Sequence, residues 1–412
     1  MIDLSAKWRT LSASPHRLFF AGGFCQGIMA VLWWLLELGQ RFGGMTPLFI
    51  WKFPAVWAHA FLMVYGFFPF FIFGFLFTFF PNWLDSGEIP RPLYLVTFAE
   101  MGLGNLFFFA GLLIGKGLLV AAVCLLILGW GVGIFALFRI FIPAPSPEKK
   151  NLFLILLFLL TGAAGLFLFS LWFLTGRTIW LHLSESTGLW FFLLPLVVTV
   201  SHLVIPFFSR PVIPNYRPFQ PFWILVLLLG GLISRGLLDL FGAYDRLWFS
   251  DLIILLFAIP LTFFWGFRQS LAVKMLFILH LSFAWLSIGA LLDLIQNLTL
   301  FISRGNLLIL GKGPLHALTL GLLTGMVIAM ATRVTFGHSG RKVVAVQYIW
   351  RIFLMFQGAA LLRVFGDLFP AGNPFSPAAY SGSALLWIGG LVHWLMRYGS
   401  LLWEPPPPEQ IK

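Results

Sequence analysis

Long apolar runs, each closed by a short polar or Pro/Gly-rich break, follow one another along nearly the whole chain. Read against those breaks, the pattern predicts helices at roughly 17–38, 54–80, 92–114, 118–142, 152–175, 188–209, 221–241, 247–267, 271–296, 314–335, 343–365 and 379–402. Each approaches the ~20 apolar residues that a bilayer-spanning helix needs. The breaks make physical sense: Pro143, Pro145 and Pro147, then Pro211, Pro214 and Pro218, then Pro370, Pro374 and Pro377 all interrupt a helical ladder. Several runs are Leu and Phe on every face, as expected where lipid or other helices surround them. None alternates like a barrel strand, and hydrocarbon tolerates no unpaired backbone, so the expected fold is all-α, a polytopic transmembrane helical bundle of about twelve spans.

Composition excludes the soluble alternatives. Hydrophobic residues make up 60% of the 412 and charged residues 10%, against roughly 45–50% and 25% in soluble chains. A single integral membrane domain, 1–412, is expected, with no internal repeat of the inverted kind. The run Pro405-Pro406-Pro407-Pro408 reads as a short disordered tail. Cys25 and Cys124 are the two cysteines and both sit in apolar runs, which rules out a disulfide framework and a CxxC motif. The polar first sixteen residues lead into an apolar run too long for a signal-peptide core, so no cleavable signal is expected.

The net charge of +12 could suggest nucleic acid, but Lys and Arg lie between the apolar runs instead of clustering. Of the 26, seventeen fall in the alternate loops that include both termini and nine in the others. That bias puts both termini in the cytoplasm and fits an even number of spans.

Ionisable groups inside spans are rare and costly, so the histidines are the first candidates for chemistry. His59 lies about five residues into the second predicted helix and His316 about three into the tenth, and both helices run inward from the outer face. At about 1.5 Å per residue the two rings differ in height by only ~3–5 Å. Two imidazoles at one level are what a bis-histidine haem requires. His202, His280 and His393 fall in the inner half, where His202 and His280 could serve a second haem or metal. For His280 a plain interhelical hydrogen bond is an equal reading, and for His393 it is the favoured one. His16 and His182 read as surface-loop residues. Arg41, Lys52, Arg304 and Lys312 sit near the outer level, as propionate partners or interfacial anchors. Glu100 lies about nine residues into the third helix and is a proton-relay candidate, or a structural hydrogen-bond acceptor. Arg235 and Asp239 have the i,i+4 spacing of an ion pair.

Three segments then carry a family resemblance. They are His59-Ala60-Phe61-Leu62-Met63-Val64-Tyr65-Gly66-Phe67 with Phe75 to Trp83; Val204-Ile205-Pro206-Phe207-Phe208-Ser209-Arg210; and His316-Ala317-Leu318-Thr319-Leu320-Gly321 with Thr332-Arg333 and Gly337-His338-Ser339-Gly340-Arg341. Together, and in this order, they resemble the NnrS family of bacterial twelve-helix membrane proteins. The resemblance implies haem b, one or two groups, with copper possible, a link to nitric oxide and nitrosative stress, and a distant likeness to the catalytic subunit of haem-copper oxidases. In that architecture the second and tenth helices hold the low-spin haem, which matches His59 and His316. Arg333 and His338 match the third block and could meet a haem propionate, a quinol headgroup or a partner protein, or simply cap the helix with positive charge.

The chain also departs from the family. Where the family carries His-Ala-His-Glu, this sequence has His59-Ala60-Phe61-Leu62. Leu203 stands near the place of an arginine that family members tend to carry. The seventh predicted helix has no histidine, so an oxidase-like copper centre with three histidines is not expected. The reading is a redox-active haem protein of the bacterial inner (cytoplasmic) membrane, with nitric oxide as ligand, nitric oxide or nitrosylated iron as substrate and a quinol or cytochrome as electron donor. Its two centres would lie about 15 Å apart in height. A haem sensor or haem-handling protein without turnover, and a metal-free transporter, are the other readings.

Overall fold

The computed structural model describes residues 4–44, 49–145, 149–341, 346–369 and 372–405. These residues form helices and no strand. Eleven helices are long and apolar enough to cross a membrane: α1 (Pro15–Phe42), α2 (Ala55–Leu84), α3 (Arg91–Ile114), α4 (Lys116–Phe141), α5 (Lys149–Thr175), α6 (Ile179–Ser209), α7 (Phe222–Leu240), α8 (Tyr244–Phe264), α9 (Lys274–Ile302), α10 (Gly313–His338) and α11 (Val346–Gly366). The twelfth, α12 (Phe375–Tyr398), has 24 residues. At 1.5 Å per residue it is about 36 Å long, enough to span, but Ser376, Ser381 and Ser383 dilute its apolar character.

Contacts divide the chain into two compact units, one of residues 1–188, 330–345 and 391–412, the other of 189–329 and 346–390. In the first, α1 packs on α2 through a ladder of phenylalanines. Phe19 meets Phe77 edge-on at 5.5 Å, Phe20 stacks on Phe71 at 5.6 Å, and Phe24 meets Phe71 edge-on at 5.2 Å. Lipid tails are as apolar as these side chains, so close packing, not transfer from water, has to hold the helices together. Glycine provides the closeness: a methyl group at Gly23 would lie 2.5 Å from the Phe71 ring. α3 and α4 form a hairpin joined by Gly115 alone, whose φ of 148° is a conformation other residues rarely adopt. In the second unit α8 packs on α7 and α9, and Trp265 is fully buried against Phe283 at 4.6 Å.

Several boundaries differ from the sequence expectation, and at α6 the reason is visible. α6 begins at Ile179 instead of 188, so His182 is a half-buried helical residue and not a loop residue. The polar run Ser184-Glu185-Ser186-Thr187 looks like a break, yet Ser184 Oγ donates to the Gly165 carbonyl at 2.8 Å and its own carbonyl accepts from Tyr65 Oη at 2.7 Å. α2 continues through Pro81 to Leu84, and α9 runs on to Ile302. His16 also is no surface residue: it stands in the first turn of α1 and is 2% exposed. Ser146, Pro147, Lys342, Pro370 and the tail residues Pro406, Pro407 and Pro408 lie outside the described residues.

Three helices change their winding. Leu62–Phe67 in α2, Thr187–Leu193 in α6 and Ala317–Thr324 in α10 are π-wound. Such stretches are rare and often mark functional sites.

Candidate cofactor-binding sites

In the first unit, His59 sits three residues before the π segment of α2. Its half-buried ring stacks on Trp34 at 4.2 Å and 17°. Trp34 also lies under the Arg41 guanidinium, 5.7 Å from the ring centre. Arg41 is engaged by Glu37 at 2.6 Å, and the other Glu37 oxygen accepts from Trp51 Nε1 at 2.8 Å. His59 is thus bordered by a flat aromatic face and a fixed cation. Arg41 meets its carboxylate within one helical turn, so a propionate would have to share it.

In the second unit, His316 directly precedes the π segment of α10. Its Nδ1 lies 2.9 Å from the Lys312 carbonyl. A carbonyl only accepts, so Nδ1 carries a proton, and in the neutral imidazole the ring lone pair sits on Nε2. Metal-bound histidines commonly show this arrangement, the second nitrogen being oriented by a backbone carbonyl.

His338, at the end of α10, makes the same bond to the Val334 carbonyl at 3.0 Å. Its exposed ring lies 4.6 Å from that of His16. Nδ1 of His16 is buried with no hydrogen-bond partner. Arg333 is half-buried one turn earlier, and Thr332 Oγ1 accepts from Trp394 Nε1 at 2.9 Å. The third sequence block therefore meets the first turn of α1, a neighbour the sequence did not suggest. His393, also in this unit, is exposed on α12.

His202 and His280 both belong to the second unit, but their nearest neighbours differ. His280 is buried, with Nε2 3.0 Å from Ser209 Oγ. Ser209 lies seven residues past His202, about 10 Å along the α6 axis. Both ring nitrogens of His202 are buried without a hydrogen bond. The Pro221 backbone is close but out of hydrogen-bonding geometry, and the Trp265 ring stands at 6.0 Å. Among the described residues no three His, Cys, Asp or Glu side chains are gathered as a metal site.

The Ile-Pro-Phe-Phe block has a role in this corner. Pro206 has no N–H, so it cannot bond the His202 carbonyl four residues back. Gln220 fills the gap: its Nε2 donates to that carbonyl at 2.7 Å. Gln220→Ala is expected to destabilise the protein by about 1–3 kcal/mol, the cost of an orphaned buried acceptor; thermal unfolding in detergent checks it.

Glu100 is half-buried, with its Cβ 2.9 Å from where a methyl group on Gly129 would lie, and its Oε2 is buried without a partner. Arg235 has ion-pair partners beyond its own helix: Asp251, at 2.9 Å, and Asp293, at 3.8 Å, on the next two helices. The signal for them was present in the sequence, as single carboxyls within apolar runs.

The family model described as NnrS protein matches residues 10–405. The curated proteins include no match. Among solved structures, the chain is similar to a heme-copper terminal oxidase dimer determined by cryo-electron microscopy. The TM-score is 0.59 at 13% identity, covering 98% of this chain and 83% of that one. At that identity the likeness is one of fold.

Proposed function

The chain belongs to the NnrS family, and from that premise we propose that it is a redox-active haem protein of the bacterial inner membrane with both termini in the cytoplasm. His59 and His316 would hold a b-type haem, which supplies one-electron chemistry when bound; nitric oxide, the ligand in this reading, would bind where one of the two imidazoles leaves. The observation that carries this reading is the His316 ring, held by the Lys312 carbonyl so that its lone pair lies on Nε2. The placement of His59 and His316 just before π-wound turns supports the same roles. A second centre on the His202 side of the molecule would use an imidazole whose nitrogens have no protein partner. His280 would join it only by giving up Ser209. Arg333 and His338 stand ready for a propionate or a quinol headgroup, Glu100 for proton relay, and a quinol or cytochrome is the electron donor.

The test is a reduced-minus-oxidised spectrum of the purified wild type beside His59→Ala and His316→Ala. Sharp b-type bands are expected in the wild type, lost or turned high-spin in both variants. A folded wild type that stays colourless after expression with ample haem would sink the reading.

A further inference from the structure

One cluster in the second unit carries unbalanced charge. Arg235 of α7, Asp251 of α8 and Asp293 of α9 have side-chain exposures of 10%, 1% and 8%. The guanidinium is covered on one side by the Trp190 ring, 4.9 Å away. Asp251 has a donor on each oxygen: Arg235 Nε on Oδ1 at 2.9 Å and Asn297 Nδ2 on Oδ2 at 2.7 Å. Asp293 stands off at 3.8 Å from the terminal nitrogen of Arg235. Lys312 is the further cation that acts on Asp293, and it is exposed, where water screens it. Gln296, one turn from Asp293 on α9, is held by the Leu310 N–H at 3.1 Å.

One buried cation thus faces two buried carboxyls. A carboxylate taken out of water costs several kcal/mol unless it is paired and hydrogen-bonded, and an unpaired one sheds that cost by taking a proton. Asp251 is paired and has a donor on each oxygen; Asp293 shares the same guanidinium at the longer distance of 3.8 Å. We propose that Asp293 is a proton-binding site, loaded and unloaded beside a fixed Arg235–Asp251 ion pair. The proton passes from a hydronium ion to a carboxylate oxygen of Asp293, leaving neutral acid and water, and returns by the same route. No electron moves. The residual exposure of Asp293 gives the site its contact with the surroundings.

Infrared spectroscopy of the full-length purified protein tests this. With carbonyl-labelled aspartate, the wild type should show a protonated-carboxyl stretch that shifts with the label and bleaches as pH is raised. The label separates it from Glu100. The band should vanish in Asp293→Asn and persist in Asp239→Asn. A wild type without such a band down to the lowest pH at which it stays folded, or a band that survives in Asp293→Asn, overturns the proposal. Should Asp293→Asn fail to fold, Asp293→Glu gives the same decision: the band must lose its response to labelled aspartate. The haem reading stands or falls separately, on the spectrum of the wild type.

Discussion

Arg235→Met is expected to lower the unfolding free energy by about 3–5 kcal/mol, the usual cost of removing one partner from a buried ion pair. The side chains are of similar length, so packing over Trp190 is largely kept and the loss reports charge. What remains is Asp251, 1% exposed, facing a thioether where a guanidinium stood. Asn297 still donates to it, but one amide cannot replace a cation. Unfolding by heat or by a denaturing detergent measures the loss. Asp239→Asn, one turn along α7, should cost far less, since Asp251 still holds the guanidinium at 2.9 Å. Equal effects from the two substitutions would mean that Arg235 stabilises the protein through Asp239 after all.

The second large effect is expected at Gly321, inside the π segment of α10. A Cβ there would lie 2.3 Å from Cδ2 of Trp285, and real Cβ atoms do not approach so closely. The indole cannot simply swing aside, because its Nε1 donates to Gln357 Oε1 at 2.6 Å. Gly289 against Leu318 and Gly325 against Ser282 make equally close contacts along the same α9–α10 seam. Gly321→Ala should therefore destabilise by about 1–3 kcal/mol through overpacking. Because the strain falls five residues after His316, the haem spectrum of this variant should broaden or shift while haem is retained. Gly337→Ala is the matched control. Nothing lies within 4 Å of its added methyl, and the substitution should be neutral or slightly stabilising, by helix propensity of up to about 1 kcal/mol.

Much of the architecture was legible in the sequence because the bilayer imposes one length on every span. Eleven of the twelve expected runs appear as long apolar helices, and the twelfth as a helix of sufficient length. The reading failed where polarity has a distant cause. Ser184 looks like a loop residue until Tyr65, 119 positions earlier, is seen to bond its carbonyl. His16 looks exposed until His338 closes over it. Neighbouring residues in a sequence do not report such partners. Of the candidate site, the histidine positions follow from counting along spans, but the protonation of His316 Nδ1 follows only from the Lys312 carbonyl. Asp251 and Asp293 stand in the sequence as single carboxyls in apolar runs, a sign of burial with no spacing that names Arg235 as their partner. π winding has no compositional signature at all.

That winding affects how these helices keep phase. An α-helix turns about 100° per residue, so losing one residue would ordinarily swing every later side chain a quarter-turn or more around the axis. A π-wound stretch holds a surplus residue relative to α winding. Leu62–Phe67 and Ala317–Thr324 can each give up one position by rewinding locally, with the helix beyond keeping its facing.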